Sequence, residues 1–140
     1  MDRIAMAGHL IRRLHQQSTQ TFQAGMQAIG VDMTSVQFAA LDAIVQQPGI
    51  DQASLAATIG FDRATIGGVI DRLERKGLVQ RVVSTQDRRA RQLSLTPDGG
   101  QLLLASRPVV EALQADILAP LTPEDRTTFL ALAHKALGLG

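Results

Sequence analysis

Residues 51–96 read DQASLAATIG FDRATIGGVI DRLERKGLVQ RVVSTQDRRA RQLSLT: a short helix, a turn, a second helix and a charged β-hairpin. Asp51 is placed to cap the short helix, which turns Leu55, Ala56 and Ile59 inward and stops at Gly60, a residue free to adopt the left-handed conformation. Asp62 caps the next helix. Ile66, Val69, Ile70 and Leu73 recur at helical spacing and form its inner face, which leaves Arg63, Thr65, Gly68 and Arg72 outside. Gly77 closes it. Gly67 and Gly68 each cost about 1 kcal/mol of helix propensity. Close packing on the preceding helix and close approach to a DNA backbone both account for that cost. Residues 78–83 and 91–96 alternate as strands with Val79, Val83, Leu93 and Leu95 as inward candidates, and Ser84 to Ala90 form a polar tip. A compact helical pair followed by an arginine-tipped hairpin is the arrangement by which one helix enters a major groove while a wing reaches the neighbouring backbone.

Outside this unit the signals are helical. Residues 3–29 lack proline and carry Leu10, Ile11, Leu14, Phe22, Met26 and Ile29 at helical spacing, ending at Gly30. Thr34-Ser35-Val36-Gln37 is a capping box ahead of a second helix that turns Phe38, Leu41, Ile44 and Val45 inward and stops before Pro48-Gly49. Thr96-Pro97 opens a fifth helix, with Leu102, Leu103, Val109, Leu113 and Ile117, in which Pro108 predicts a kink. Thr122-Pro123 opens a last one with Phe129, Leu130, Leu132 and Leu137. The predicted fold class is mostly α with a small β-hairpin wing, in one domain spanning 1–140. A winged helix-turn-helix unit covers about 34–96, and dimerisation helices cover about 3–30 and 97–138. The terminal helices would expose apolar stripes on a monomer. A symmetric dimer buries them; the other solution is that they fold back on their own domain.

Charge is distributed unevenly. The net charge is only +1, yet eight of the fourteen Lys and Arg lie between Arg63 and Arg91. This polarity fits one DNA-facing surface. The chain has no cysteine, which excludes disulfides, thiolate metal sites and thiol switches. No apolar run approaches the roughly 18 residues of a membrane span, and the N-terminus lacks the layout of a signal peptide, so the expected location is cytoplasmic. There is no nucleophile elbow, phosphate loop, paired-carboxylate signature or H-E-x-x-H pair, and three scattered histidines make no metal site. The expectation is a non-enzyme without cofactor or metal.

The run from Thr34 to Gly99 resembles the MarR family of winged-helix regulators. The resemblance rests on T-S-V-Q-F-A-A-L, on Q-A-S-L-A-A-T-I-G, on D-R-A-T-I-G-G-V-I-D-R-L-E-R-K-G-L-V-Q-R and on the wing D-R-R-A-R-Q-L-S-L-T-P-D-G. The flanking helices fit as well. Ala90 departs from the family pattern, which often has an acidic residue there. The resemblance implies a homodimeric DNA-binding regulator, usually a repressor, acting on a pseudo-palindromic operator and released by a small ligand.

Chemistry assigns the candidate contacts. Arg63 and Thr65 occupy the helical turn that enters the groove, where Arg can bond a guanine edge twice and Thr can touch a thymine methyl or a phosphate. Arg72 suits a backbone contact or an intrahelical ion pair. Arg88 and Arg89 suit phosphate or narrow minor-groove contacts, while Arg91 is placed to point back to the body. For each Arg the plain alternative is a solvated surface charge. The resemblance gives Asp87 the role of orienting a neighbouring Arg. In G-H-L-I-R-R-L-H-Q, His9 and Arg13 share a helix face, with Arg12 and His15 on another. This run is similar to that of MarR-type regulators of hydroxycinnamate and other aromatic-acid breakdown, whose effectors are aromatic acids or their coenzyme A thioesters. Arg13, with His9 as a secondary contact, is the expected partner of an anionic aromatic effector whose ring pocket Ile11, Leu14 and Phe38 line; dimer salt bridges or solvent are the other uses of this run. A different class of function, a winged helix that binds DNA without a ligand or binds only protein, is compatible with the same residues.

Overall fold

The computed structural model describes residues 6–83 and 91–139. The chain runs α1 (Ala7–Ala28), α2 (Ser35–Gln46), α3 (Gln52–Ile59), α4 (Arg63–Arg75), β1 (Val79–Val83), β2 (Arg91–Leu95), α5 (Pro97–Ile117) and α6 (Pro123–Ala136). Helix α1 starts at Ala7 after Met6, which makes no side-chain cap, where the sequence placed a start at residue 3; the other helix starts follow side-chain caps. Thr34 Oγ1 accepts from the Gln37 amide while Gln37 Oε1 accepts from the Thr34 amide, both at 3.2 Å. Asp51 accepts from the Ser54 amide at 2.7 Å and Asp62 from the Ala64 amide at 3.1 Å. Thr96 and Thr122 cap α5 and α6, each followed by a first-turn proline. Gly60, at φ 71°, turns the chain so that the Phe61 amide bonds back to Ala56 O at 2.8 Å.

The winged unit is built around the inner face of α4. Ile66, Ile70 and Leu73 are buried with Leu41, Ile44 and Leu55 from α2 and α3 and Leu93 from the hairpin, while Val69 is half-buried. Strands β1 and β2 pair antiparallel, Val79 opposite Leu95, Arg81 opposite Leu93 and Val83 opposite Arg91. A further pairing was not anticipated. The Gly49 amide donates to Leu93 O and the Leu93 amide to Ile50 O, so the segment after α2 adds a short third edge to the hairpin. Two inward assignments need correction. Val83 is 46% exposed, because β1 has left the body by that point and its partner Arg91 is exposed too. Val45 is 43% exposed, because the last turn of α2 runs out into the exposed 46–49 segment.

Helix α1 packs along α5 through Phe22 and Met26, and the Phe22 and Phe38 rings meet with centroids 6.1 Å apart. Its N-terminal apolar residues stay out, with Ile11 64% exposed and Leu10 exposed as well, and so does Ile29 just past its C-terminal end. Pro108 lies inside α5, which stays helical from Pro97 to Ile117. Helix α6 buries no residue; Leu130 and Leu132 are exposed and Phe129 is half-buried.

The start of α5 is fitted to the connection between α4 and β1 through a glycine. A Cβ at Gly99 would lie 2.1 Å from the carbonyl oxygen of Leu78, a backbone atom that cannot swing away. Gly99→Ala is therefore expected to destabilise the fold by about 3 kcal/mol, at the top of the overpacking range or above it. Gly100→Ala, with open space around its Cβ, serves as the neutral control. Urea unfolding of both variants measures the difference.

Candidate nucleic-acid interface

Because Ile66, Ile70 and Leu73 must be buried, the opposite side of α4 is forced outward. Arg63, Thr65, Gly68 and Arg72 are all exposed on that side, as the spacing predicts. The two glycines divide between internal packing and open surface. A Cβ at Gly67 would stand 3.3 Å from the Gln52 side chain of α3, whereas Gly68 faces open space, so packing within the chain does not require it. Thr65, Gly68 and Arg72 border a groove of about 410 Å³, closed on its other side by Thr34, Val36 and Gln37 at the start of α2. At the start of α4, Arg63 and Ile66 border a smaller cleft with Gln52 and Ala53.

Arg63 makes no ion pair with any described residue, and the same holds for Arg72, Arg75 and Arg91. The intrahelical pair considered for Arg72 does not form among the described residues. Arg91 stays exposed at the start of β2 rather than packing on the body. Asp87, Arg88 and Arg89, with Ala90, lie outside the described residues.

Two other basic residues of this segment are engaged within the protein, and the sequence reading missed both. Lys76, which ends α4, donates through Nζ to the Asp32 carbonyl at 2.6 Å and to Gln37 Oε1 at 3.2 Å. This ties the α1–α2 loop to α4. Arg81 of β1 donates to Asp71 at 2.7 Å, to Glu74 at 3.0 Å and to Gln52 at 3.3 Å. The available signal was the alternation of β1, which puts Arg81 on the same strand face as the buried Val79.

The proposed effector residues fall elsewhere. On α1, Arg13 is exposed and His9 half-buried; Arg12 and His15 are exposed, and Leu14 is half-buried. Phe38 lines a cavity of about 260 Å³ between α2 and α5, with Asp42, Gln46, Arg107, Val110, Glu111 and Gln114. Arg107 is paired with Asp42 there, and its Nε is buried without a partner. A larger cavity of about 450 Å³ lies along the second half of α1 and the following loop, over Phe22, Met26 and Met33. Neither cavity includes His9, Arg13, Ile11 or Leu14. Among the described residues no group of three His, Asp or Glu is placed to hold a metal ion, and no helix is long and apolar enough to cross a membrane.

The MarR family model matches residues 33–90. The transcriptional regulator HosA of Escherichia coli is 32% identical over 131 residues, covering 94% of this chain and 94% of its own length. The HTH-type transcriptional repressor NicR of Pseudomonas putida is 33% identical over 136 residues, with 97% of this chain and 85% of its own length covered. Among solved structures, Bordetella bronchiseptica BpsR, described for the regulation of its DNA binding by 6-hydroxynicotinic acid, aligns with a TM-score of 0.88 and 29% identity. That alignment covers 97% of this chain and 96% of the other.

One titration follows from the caps. The Asp51 carboxyl is held below its ordinary value of 3.8, first by the Ser54 amide, then by the Ser54 hydroxyl, with a smaller contribution from the positive charge of Arg63. A carboxylate favoured by folding contributes stability above its unfolded value and loses it as pH falls through the lowered folded value. Asp51→Asn keeps a capping oxygen but does not titrate. The variant should therefore show a flatter stability profile than the parent below about pH 4 and a similar one at neutral pH; denaturant melts across that range read the difference.

Proposed function

The chain belongs to the MarR family, and on that premise we propose that it is a homodimeric cytoplasmic repressor that grips a pseudo-palindromic operator and lets go when a small anionic aromatic compound binds. That it is a DNA-binding transcriptional regulator and not an enzyme follows from its family. The observation that carries the finer reading is the two-sided helix α4, whose outer face combines Arg63 and Arg72, neither ion-paired with a described residue, with Thr65 and a glycine that no described neighbour requires. Arg63 and Thr65 sit in its first turn, where base edges are read, and Arg72 lies farther along as a backbone contact. Arg88 and Arg89 supply wing contacts to phosphate or minor groove, oriented by Asp87.

Assembly is supported by what the single chain leaves uncovered. Leu130, Leu132 and Leu137 on or beside α6, with Leu10 and Ile11 on α1, are between 41% and 73% exposed. A two-fold partner covers these terminal helices and sets two copies of α4 about one helical turn of DNA apart. The effector reading draws on NicR as a named repressor and on BpsR with its aromatic acid. In this chain, Phe38 offers a ring-sized wall beside α5, and Arg13 is an exposed fork on α1. His9, one turn away, is the secondary contact. Arg13 faces solvent in the isolated chain, so the pocket is completed only where the dimer helices meet the winged unit.

Selecting DNA with the purified protein should return a pseudo-palindrome, bound by a species that sediments as a dimer. Arg63→Ala should weaken that binding by about 1–3 kcal/mol and blur one base pair per half-site. Replacing Arg88 and Arg89 together should weaken binding to all sequences alike and flatten the salt dependence by about one unit of slope for each phosphate left unneutralised. Unchanged base preference in the first variant, or an unchanged salt slope in the second, removes that residue from the interface.

Release requires that the ligand favour the DNA-incompetent spacing of the two α4 helices, and a release factor of 100 needs about 2.7 kcal/mol of coupling. Arg13→Ala should keep operator affinity and lose the response to aromatic acids such as 6-hydroxynicotinic acid. Loss of dimerisation instead, or a normal response, places Arg13 in the structure and the effector site elsewhere.

A further inference from the structure

Strand β1 carries an anomaly at its centre. Its alternation sets Val79, Arg81 and Val83 on one face; Val79 is buried, and Arg81 lies opposite the fully buried Leu93 in register. An arginine at a strand position that faces the body has to be compensated by hydrogen-bonding partners. Its side chain is only 19% exposed. The partners come from two helices. One terminal nitrogen, Nη1, donates to Asp71 and Glu74, three apart on α4, and the other, Nη2, donates to Gln52, the first residue of α3. A guanidinium spans such a set with a rigid planar fork; an ammonium carries the same charge without that geometry.

The position matters because the hairpin hangs from a short connection. Between α4 and β1 lie only Lys76, Gly77 and Leu78, with Gly77 at φ 74°. The base of the hairpin is held by Thr96, whose hydroxyl donates to Gly77 O at 2.6 Å and whose amide donates to Leu78 O at 3.0 Å. Farther out, Val82 and Val83 are 47% and 46% exposed. Arg81 is thus the outermost residue of β1 whose side chain grips the body, and its grip falls on the helix that presents Arg63 and Thr65.

We propose that Arg81 is a positioning residue for DNA recognition, bracing the hairpin against α4 and α3 so that wing and helix meet one duplex at a fixed angle. The proposal rests on the reading of α4 and the hairpin as the DNA-facing elements. It assigns Arg81 no contact with DNA. Its carboxylate partners would repel phosphate if they faced the duplex, and they are instead turned to the strand.

Two variants of the full-length protein separate bracing from charge. Arg81→Lys keeps the charge and loses the fork. The double variant Asp71→Asn, Glu74→Gln keeps Arg81 and removes its anionic partners. In both, amide exchange at Val82, Val83, Arg91 and Gln92 should accelerate while the α4 amides keep their protection. Each should lower the ratio of operator affinity to random-duplex affinity by about tenfold, the discrimination that one good base-edge pairing supplies. The double variant should at the same time bind random duplex more tightly, since two negative charges are gone. An unchanged affinity ratio in both variants overturns the proposal. So does accelerated exchange spread equally over α4, which reduces Arg81 to a general stabiliser, and so does unchanged exchange in the hairpin. A hairpin that does not touch DNA would show itself separately, in unaltered binding by the Arg88 and Arg89 double variant.

Discussion

The burial of one stripe of α4 is the constraint on which its proposed DNA-facing side depends. Ile66, Ile70 and Leu73 are each 1% exposed or less, and they are met by side chains from α2, α3 and the hairpin together. A helix fixed on three sides has one rotation about its own axis. The direction in which Arg63, Thr65 and Arg72 point is therefore set by packing, at about 2 kcal/mol per buried aliphatic side chain, and not by weak surface electrostatics. Slipping the helix by one residue would swing the arginines by about 100° and bury charge without a partner. Recognition geometry and core stability are in this sense a single property of α4.

The basic residues of the winged unit divide according to that geometry. Lys76 and Arg81 each donate to two or more acceptors inside the chain, one tying α4 to the α1–α2 loop and the other tying the hairpin to α4. Arg63, Arg72 and Arg75 lie along the same helix without ion pairs to described residues. Exposed charges of this second kind contribute little to stability and remain available to an anionic partner. A count of positive charge between Arg63 and Arg91 finds the segment but cannot separate the two groups. Separation needs the acceptors: Asp71 and Glu74 lie inside the charged run, but Asp32, Gln37 and Gln52 lie outside it.

This explains how far the chain could be read from its sequence. The starts of α2, α3 and α5 were legible because each is a local event: Thr34 with Gln37, Asp51 with Ser54 and Thr96 with Gly99 all lie within three residues. The faces of α4 were legible because helical spacing alone decides them. Val83 and Val45 were misjudged because alternation and spacing say nothing about where the neighbouring elements stop. The third edge of the hairpin, the Arg81 cluster and the close approach of Gly99 to Leu78 were invisible because they join residues from 7 to 44 positions apart, or a glycine to a backbone carbonyl. Of the site, the α4 residues could be named and found exposed. The wing residues lie outside the described segment. The effector residues could be named, but not the cavity beside Phe38, since Arg107 and Asp42 carry no local signature.

The terminal helices connect these points to regulation. Helix α1 is held by its second half, through Phe22, Met26 and the passage of Gly25 against Leu113, while its first half leaves Leu10, Ile11 and Arg13 outside. The buried half leads through the loop at Asp32 to Lys76 at the end of α4. In the proposed dimer, a change in how the outer halves of two such helices meet would reach the two α4 helices along this route, whose joints within the chain are close-packed or hydrogen-bonded. On that proposal a ligand near the outer half of α1 would have only to favour one of two packings of the helix pair.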